Sequence, residues 1–423
     1  MDDVTAKPEG SPVAASTPTP PEIAPDRRFA GLRRLDGNVR ALGAVSFFAD
    51  LSSETIYPLF PYFVTVVLGA PVAVLGVIEG LAEATASISK WPFGQASDFT
   101  GRRRVFVAAG YGAAALGKLI LALSFVWPVA LVARFVDRFG KGVRTAPRDA
   151  LIAASTPADQ RGLAFGLHRT MDTLGAVIGP LLALLLFWTL HMSPRTIFAF
   201  AVLPGVVSVL FITRFVRERA KAPARASFRP RLPASPAFRW LLASAVVFGL
   251  GNSSDVFILL RANRLLGAHY SVAASVAGGI LLYVLYNLTY AAGSLPLGGL
   301  SDRIGQVPLV LGGYVVFAAV YAGFAAAGSP LALVGLFAAY GLYIAATDGA
   351  SKALVSRAVP DEGRGAAMGL YATVSGVATL IASSVGGVLW MTVGPWATFV
   401  YGAACALLAA VVLVAARPRL ELR

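Results

Sequence analysis

"GQASDFTGRRR", Gly94 to Arg104, and "GGLSDRIGQ", Gly298 to Gln306, are two versions of one hydrophilic loop: glycine, a Ser-Asp pair and a second glycine, with arginine after that glycine in the first copy and before it in the second. Asp98 and Asp302 stand 204 residues apart. Each loop is followed by a second matching stretch, "STPADQRGLAFGLHRTMD" at 155–172 and "AVPDEGRGAAMGLYATVS" at 358–375. There Pro157 with Pro360, Arg161 with Arg364 and Gly166 with Gly369 recur at a spacing of 203. Two stretches sharing one long period mark a duplicated unit, because local turn chemistry has no reason to repeat at that distance.

Around these loops the chain is greasy. It is 57% hydrophobic and 14% charged, with a mean hydropathy of +0.70, too little polar surface to cover a soluble protein of 423 residues. From Asn38 onward twelve apolar runs alternate with short polar breaks, at 40–68, 72–97, 105–125, 128–155, 162–190, 194–216, 238–266, 271–299, 307–327, 330–357, 364–392 and 394–416. Each is long enough to cross a hydrocarbon core of about 30 Å. Backbone in lipid must satisfy its own hydrogen bonds, and the runs lack the period-two alternation of a barrel, so they read as helices. The expected fold is an all-α membrane protein of twelve transmembrane helices in two pseudo-symmetric six-helix bundles, 38–216 and 238–416. An even number of helices per half keeps the halves parallel, related by an axis along the membrane normal, with a site between them. Residues 1–37, rich in Pro, Ala, Ser and Thr, read as a disordered cytoplasmic tail without the apolar stretch of a cleavable signal. Residues 217–237 read as a basic cytoplasmic linker, and 417–423 as a second tail.

The charge of +14 and pI near 10.2 would suggest nucleic acid in a soluble protein. Here the arginines sit in alternate breaks: Arg102, Arg103 and Arg104, then Arg161, the linker, Arg303 and Arg364. The other breaks are almost free of them, Arg195 and the pair Arg261 and Arg264 excepted. By the positive-inside rule both termini are expected in the cytoplasm and the chain in the inner membrane, and nucleic acid is not expected as a partner. The lone Cys405 excludes an internal disulfide, and the three scattered histidines offer no metal cluster, so neither a metal nor another cofactor is expected.

The loop Gly94–Arg104 and its partial copy resemble the signature loop of the major facilitator superfamily, and the resemblance extends from about residue 40 to residue 416. Arg134 in "ARFVDRFGKG" falls where that superfamily carries an arginine in its fourth helix. "GAVIGP", Gly175 to Pro180, is similar to the fifth-helix motif of its drug and proton antiporters, with Ala183 and Leu184 where glycines are expected. The resemblance implies secondary transport by alternating access. It also implies a gating role for Gly94, Asp98, Gly101, Arg102 and Arg103, with Asp302 and Arg303 in the second half, where Gln306 replaces a basic residue. Physically, a carboxylate beside helix ends and arginines makes a latch that forms in one conformation and breaks in another.

Charges also lie inside the runs. At about 1.5 Å per residue, Glu54, Glu83 and Lys141 fall near the middle of spans 1, 2 and 4. Arg134, Asp137, Arg138, Lys141, Arg144, Arg148 and Asp149 occupy one arc of roughly 140° on span 4. Glu79, Glu83 and Lys90 share a stripe on span 2, as do Asp50, Glu54 and Tyr57 on span 1. Facing lipid, each charge would cost several kcal/mol, so the stripes face one another or a wet cavity. One reading is an internal salt-bridge network, expected to include Glu79, Lys90, Arg144, Arg148, Asp149, His168, Arg169, Asp172 and the i,i+4 pair Asp348 and Lys352. The other is a substrate and proton pathway. Asp50, Glu54 and Glu83 are the expected proton carriers, since a carrier needs a buried carboxylate that binds its proton near neutral pH and yields it when a cation pairs. Arg134, Asp137, Arg138 and Lys141 are expected at the cavity, with Asn252, Asp255, Tyr283 and Asn287 from the second half, whose tyrosines join an apolar ring to one hydrogen-bonding group.

The expected protein is a secondary active transporter of a small organic molecule, a proton-coupled exporter acting as a monomer in the bilayer. The alternatives are an importer or uniporter of a polar or anionic metabolite, and, from another class, a receptor or scaffold that moves nothing. An enzyme is not expected: the sequence offers no nucleophile, acid pair, metal set or Walker loop.

Overall fold

A computed structural model describes residues 35–157, 161–218, 235–359 and 364–420. The expected tails, nearly all of the linker, and the side chains of Arg161, Asp302 and Arg364 lie outside the described residues.

Among the described residues twelve helical spans are present. In chain order they are α1 (Gly37–Ile56), α2 (Val72–Thr100), α3 (Arg103–Ala122), α4 (Trp127–Ala154), α5 (Arg161–Leu184), α6 (Pro194–Phe215), α7 (Pro236–Gly267), α8 (Val272–Ile304), α9 (Gln306–Ala326), α10 (Pro330–Arg357), α11 (Arg364–Thr392) and α12 (Pro395–Leu420). Among the described residues, ten are long and apolar enough to cross a membrane. The two that fall short are α1 and α4, which carry the charges Asp50 and Glu54 and the seven-charge stripe.

Helix starts follow local chemistry. Ser193, Ser235 and Ser329 each cap a helix whose next residue is proline, the serine oxygen accepting from Thr196, Phe238 and Ala332 backbone N–H groups. Two spans are irregular. After Ile56, α1 continues as a 3-10 turn over Tyr57–Leu59, a short helix and a π turn over Phe63–Val67, because Pro58 and Pro61 remove ladder donors. α7 breaks between Gly251 and Val256. The repeated loop explains its own glycine: Gly101 closes α2 at φ +66°, and Gly305, its counterpart 204 residues on, closes α8 at φ +90°. A side chain is strained at either φ.

The duplication is visible as packing. Within the first half α1 packs on α5 and α6, α4 on α2 and α3, and α3 on α6. The second half repeats every pair, α7 on α11 and α12, α10 on α8 and α9, and α9 on α12. The halves meet along α2 with α11 and α5 with α8, two contacts that the duplication exchanges. Along the first seam the backbones nearly touch: a Cβ on Gly80 would stand 2.8 Å from the Leu380 Cα, and one on Gly387 2.7 Å from the Ala73 Cα. At the end of the molecule holding the 68–71 and 268–271 turns, one apolar core takes residues from both halves, Phe60, Phe63 and Phe198 with Phe257, Phe324 and Phe399. At the opposite end a cluster around Phe238, Tyr314 and Leu413 draws, among the described residues, on the second half alone. The molecule is therefore shut at the first end, and its cavities lie toward the second.

Candidate substrate cavity

The break in α7 builds one wall. Its residues, Asn252, Ser253, Ser254 and Asp255, are turn formers set in an apolar run, and Ser254 N–H donates to Ser383 Oγ (3.0 Å) instead of to the helix. Freed backbone in lipid is tolerated where it lines a cavity. Asp255 accepts hydrogen bonds from Tyr340 (2.6 Å) and Tyr286 (3.1 Å). A central cavity of about 450 Å³ opens here, lined by Asn252 and Asp255, by Glu83 from α2, by Tyr57, Tyr340 and Tyr343, and by the pair Asp348 and Lys352 (2.6 Å). A second cavity of about 620 Å³ shares Asp348 and Lys352 and adds Arg148, Asp149, His168, Arg169 and Tyr290. The two form one path from the middle toward the end that carries the repeated loops.

At the seam of α1 and α5 the carboxylates of the first half collect. Glu54 accepts a 2.6 Å hydrogen bond from Tyr283, a link between the halves. Asp50 and Asp172 are close neighbours across this seam, and Ser46 donates to Asp172 (2.6 Å). The "GAVIGP" glycines bring the helices this close: a Cβ on Gly175 would meet the Asp50 Cβ at 3.0 Å, and one on Gly179 the Glu54 Cβ at 2.8 Å.

The α4 stripe divides by depth. Arg134, 5% exposed, clasps the fully buried Glu79 with both Nε (2.7 Å) and Nη2 (2.8 Å), its guanidinium 4.7 Å from the Phe60 ring centre. Asp137 lies between Lys118 (3.8 Å), Arg134 (3.6 Å) and Arg138 (3.9 Å). Arg134 and Asp137 line a separate small pocket with Ser53 and Lys118, not the central cavity. Arg138 pairs with the cavity carboxylate Glu83 (3.6 Å), Lys141 is exposed, and Lys90 lies within range of Glu83, Lys141 and Lys352. Arg144 is buried over the Tyr111 ring at 4.0 Å, and Arg148 pairs with its neighbour Asp149 (2.9 Å). Asn287 donates to the Tyr283 carbonyl of its own helix (3.0 Å). Arg169 pairs with Asp172 (3.5 Å) and donates across the second seam to Tyr290 (2.5 Å), whose hydroxyl donates to Asp348 (3.3 Å) within the second half. His168 is buried, its Nε2 without a partner among the described residues.

In the repeated loop Asp98 pairs with Arg103 (2.6 Å) on the same side of the molecule, while Arg102 is exposed and Arg104 N–H donates to Glu218 (2.8 Å). Gly94 lies against Ala146 of α4. In the second half Arg303 is exposed, and Gln306 accepts from Arg357 (2.7 Å). Two features escaped the sequence reading. Lys118 was a lone lysine inside an apolar run, the same signal that marked Lys141. The α7 break was announced by "NSSD", a turn cluster that the surrounding apolar residues hid.

Comparison with known proteins gives the same picture. The sequence profile of the Major Facilitator Superfamily matches residues 42–283 and 255–422. An MFS-type transporter of Methanocaldococcus jannaschii is 37% identical over 384 residues, 90% of this chain and 95% of that one. A probable 4-methylmuconolactone transporter of Cupriavidus pinatubonensis is 29% identical over 258 residues, 58% of each chain. Among solved structures, that of the nucleoside transporter NupG has a TM-score of 0.76 at 15% identity, covering 89% of this chain and 99% of that one, a likeness of fold.

Proposed function

The chain belongs to the Major Facilitator Superfamily, a secondary transporter in the membrane, and from that premise we propose that it is a proton-coupled antiporter exporting a small organic molecule. The observation that carries the coupling is the Tyr283–Glu54 hydrogen bond between the halves. A carboxylate accepts that bond; a protonated carboxyl competes for it as a donor, so proton occupancy acts on the contact that must change when the halves rock. The Asp50–Asp172 pair, one turn away, supplies a second proton position. Support for export comes from the fifth-helix stretch Gly175–Pro180, whose glycines seat α5 on both coupling carboxylates. The arginine-rich breaks support an inner-membrane orientation with both termini cytoplasmic and the open path facing inward.

Inverted vesicles acidified inside test this reading. A panel of small organic molecules is offered outside, and accumulation that collapses with the pH gradient is expected for the substrate. Accumulation only in right-side-out vesicles with acid outside would identify an importer, and accumulation indifferent to pH would remove proton coupling.

A further inference from the structure

The carboxylates of the central cavity are unequal. Glu83 has Arg138, and Asp348 has Lys352. Asp255 has no cation at pairing distance among the described residues; Tyr340 and Tyr286 donate to it, and it stands at the N-terminal end of the second part of α7, whose dipole offsets part of its charge. The groups within electrostatic range of it are uncharged or acidic: Tyr57 on α1, Glu79 and Glu83 on α2, Tyr283 and Tyr286 on α8, Tyr321 on α9, and Tyr340 and Tyr343 on α10; α11 brings Ser383 to the same break. Arg134, the cation that approaches the Tyr57 ring to 5.7 Å, is held in both forks by Glu79. A carboxylate withdrawn from water without a counter-charge is costly, and one facing an open cavity can recover that cost from a ligand. The walls favour the same sign. Tyr57, Phe248, Tyr340, Tyr343 and Tyr371 line the space, and aromatic faces attract cations.

We propose that the ligand of this cavity is an organic cation, a protonated amine or quaternary ammonium on an aromatic body, with its charge on Asp255 and its body among the tyrosines. The volume of about 450 Å³ suits a drug-sized molecule, and Lys352, the cation of the lining, is already paired, which leaves nothing for an anion. This rests on the reading of the cavity as the transport site, and it adds the sign of the cargo.

The test is binding to the purified full-length protein by calorimetry at pH 8, with benzyltrimethylammonium, its uncharged isostere neopentylbenzene, and phenylacetate as probes. Benzyltrimethylammonium is expected to bind, the other two to bind at least tenfold more weakly. Asp255→Asn is expected to weaken the cation at least tenfold, and Asp255→Glu to restore most of it. Because the first variant alone could misfold, both are checked by size-exclusion profile, and the Glu variant reports if the Asn variant is lost. Absence of cation binding to the unaltered protein, preference for phenylacetate, or indifference to both substitutions would overturn the assignment. Cation binding that needs Asp255, in a protein that transports without regard to pH, leaves this assignment standing and removes only proton coupling.

Discussion

Tyr283 on α8 donates a 2.6 Å hydrogen bond to the Glu54 carboxylate on α1, so the carboxylate proposed to carry the proton sits directly on a contact with the second half. Glu54→Gln is expected to abolish accumulation driven by a pH gradient while sparing exchange of labelled for unlabelled substrate. Tyr283→Phe should shift the balance of conformations by about tenfold or more, since hydrogen bonds to charged groups contribute ~1.5–3 kcal/mol. Flux assays in vesicles read both, and unchanged pH-dependent transport in Glu54→Gln would remove Glu54 from the coupling role.

Arg134 and Glu79 are each other's principal partner in a buried setting. Removing Arg134 leaves Glu79 a bare buried charge and removing Glu79 leaves Arg134 only Asp137 at 3.6 Å, a loss of up to about 3–5 kcal/mol, whereas replacing both by apolar residues of similar size is close to neutral. Arg134→Met and Glu79→Met singly should unfold many degrees earlier in detergent than the double variant. Equal melting of all three would mean that the pair does not hold α2 to α4.

Along the α2–α11 seam, Gly80 leaves no room for a side chain beside Leu380. Gly80→Val forces the shut end apart by overpacking that costs about 1–3 kcal/mol, enough to move a conformational equilibrium severalfold or more. A cysteine placed at Asn252 should then react faster with a membrane-impermeant thiol reagent added from the shut side. No change in that rate would show that the seam yields elsewhere.

The Arg144 guanidinium, 4.0 Å from the Tyr111 ring, has a buried Nε and Nη1 with no hydrogen-bond partner among the described residues, so the ring face is its main compensation. Tyr111→Phe keeps that face and should melt within a few degrees of the parent. Tyr111→Leu loses about 2 kcal/mol of desolvated cation–π attraction and should melt clearly lower. Similar melting of the two variants would place the stabilisation in ring burial rather than in the charge.

Much of the architecture was legible because membrane burial writes itself in long runs, and because a duplicated loop fixes which helices correspond. Gly101 and Gly305 could be matched by spacing before their backbone angles were known. The site was only partly legible. The arc on α4 gave the face shared by Arg134, Arg138 and Lys141, but which of them reaches a cavity depends on where α1, α2 and α3 sit, and a helical wheel carries no information about neighbours. Asp255 could be named from its type and depth. Its isolation from cations could not, since that is a property of eight other side chains drawn from distant parts of the chain.

The seven charges of α4 bear on how the protein is made. An insertion machinery that tests helices one at a time charges about 2.5–3.5 kcal/mol for an Arg, Lys or Asp at mid-membrane, so α4 cannot enter the bilayer on its own merit. Its counter-charges reside in α2 and α3, at Glu79, Glu83 and Lys118, which emerge from the ribosome first. The ion pairs that later shape the first half therefore act earlier as the entry permit for α4, and a nascent chain lacking Glu79 and Glu83 should leave that segment outside the membrane, where a glycosylation or protease-protection assay would find it.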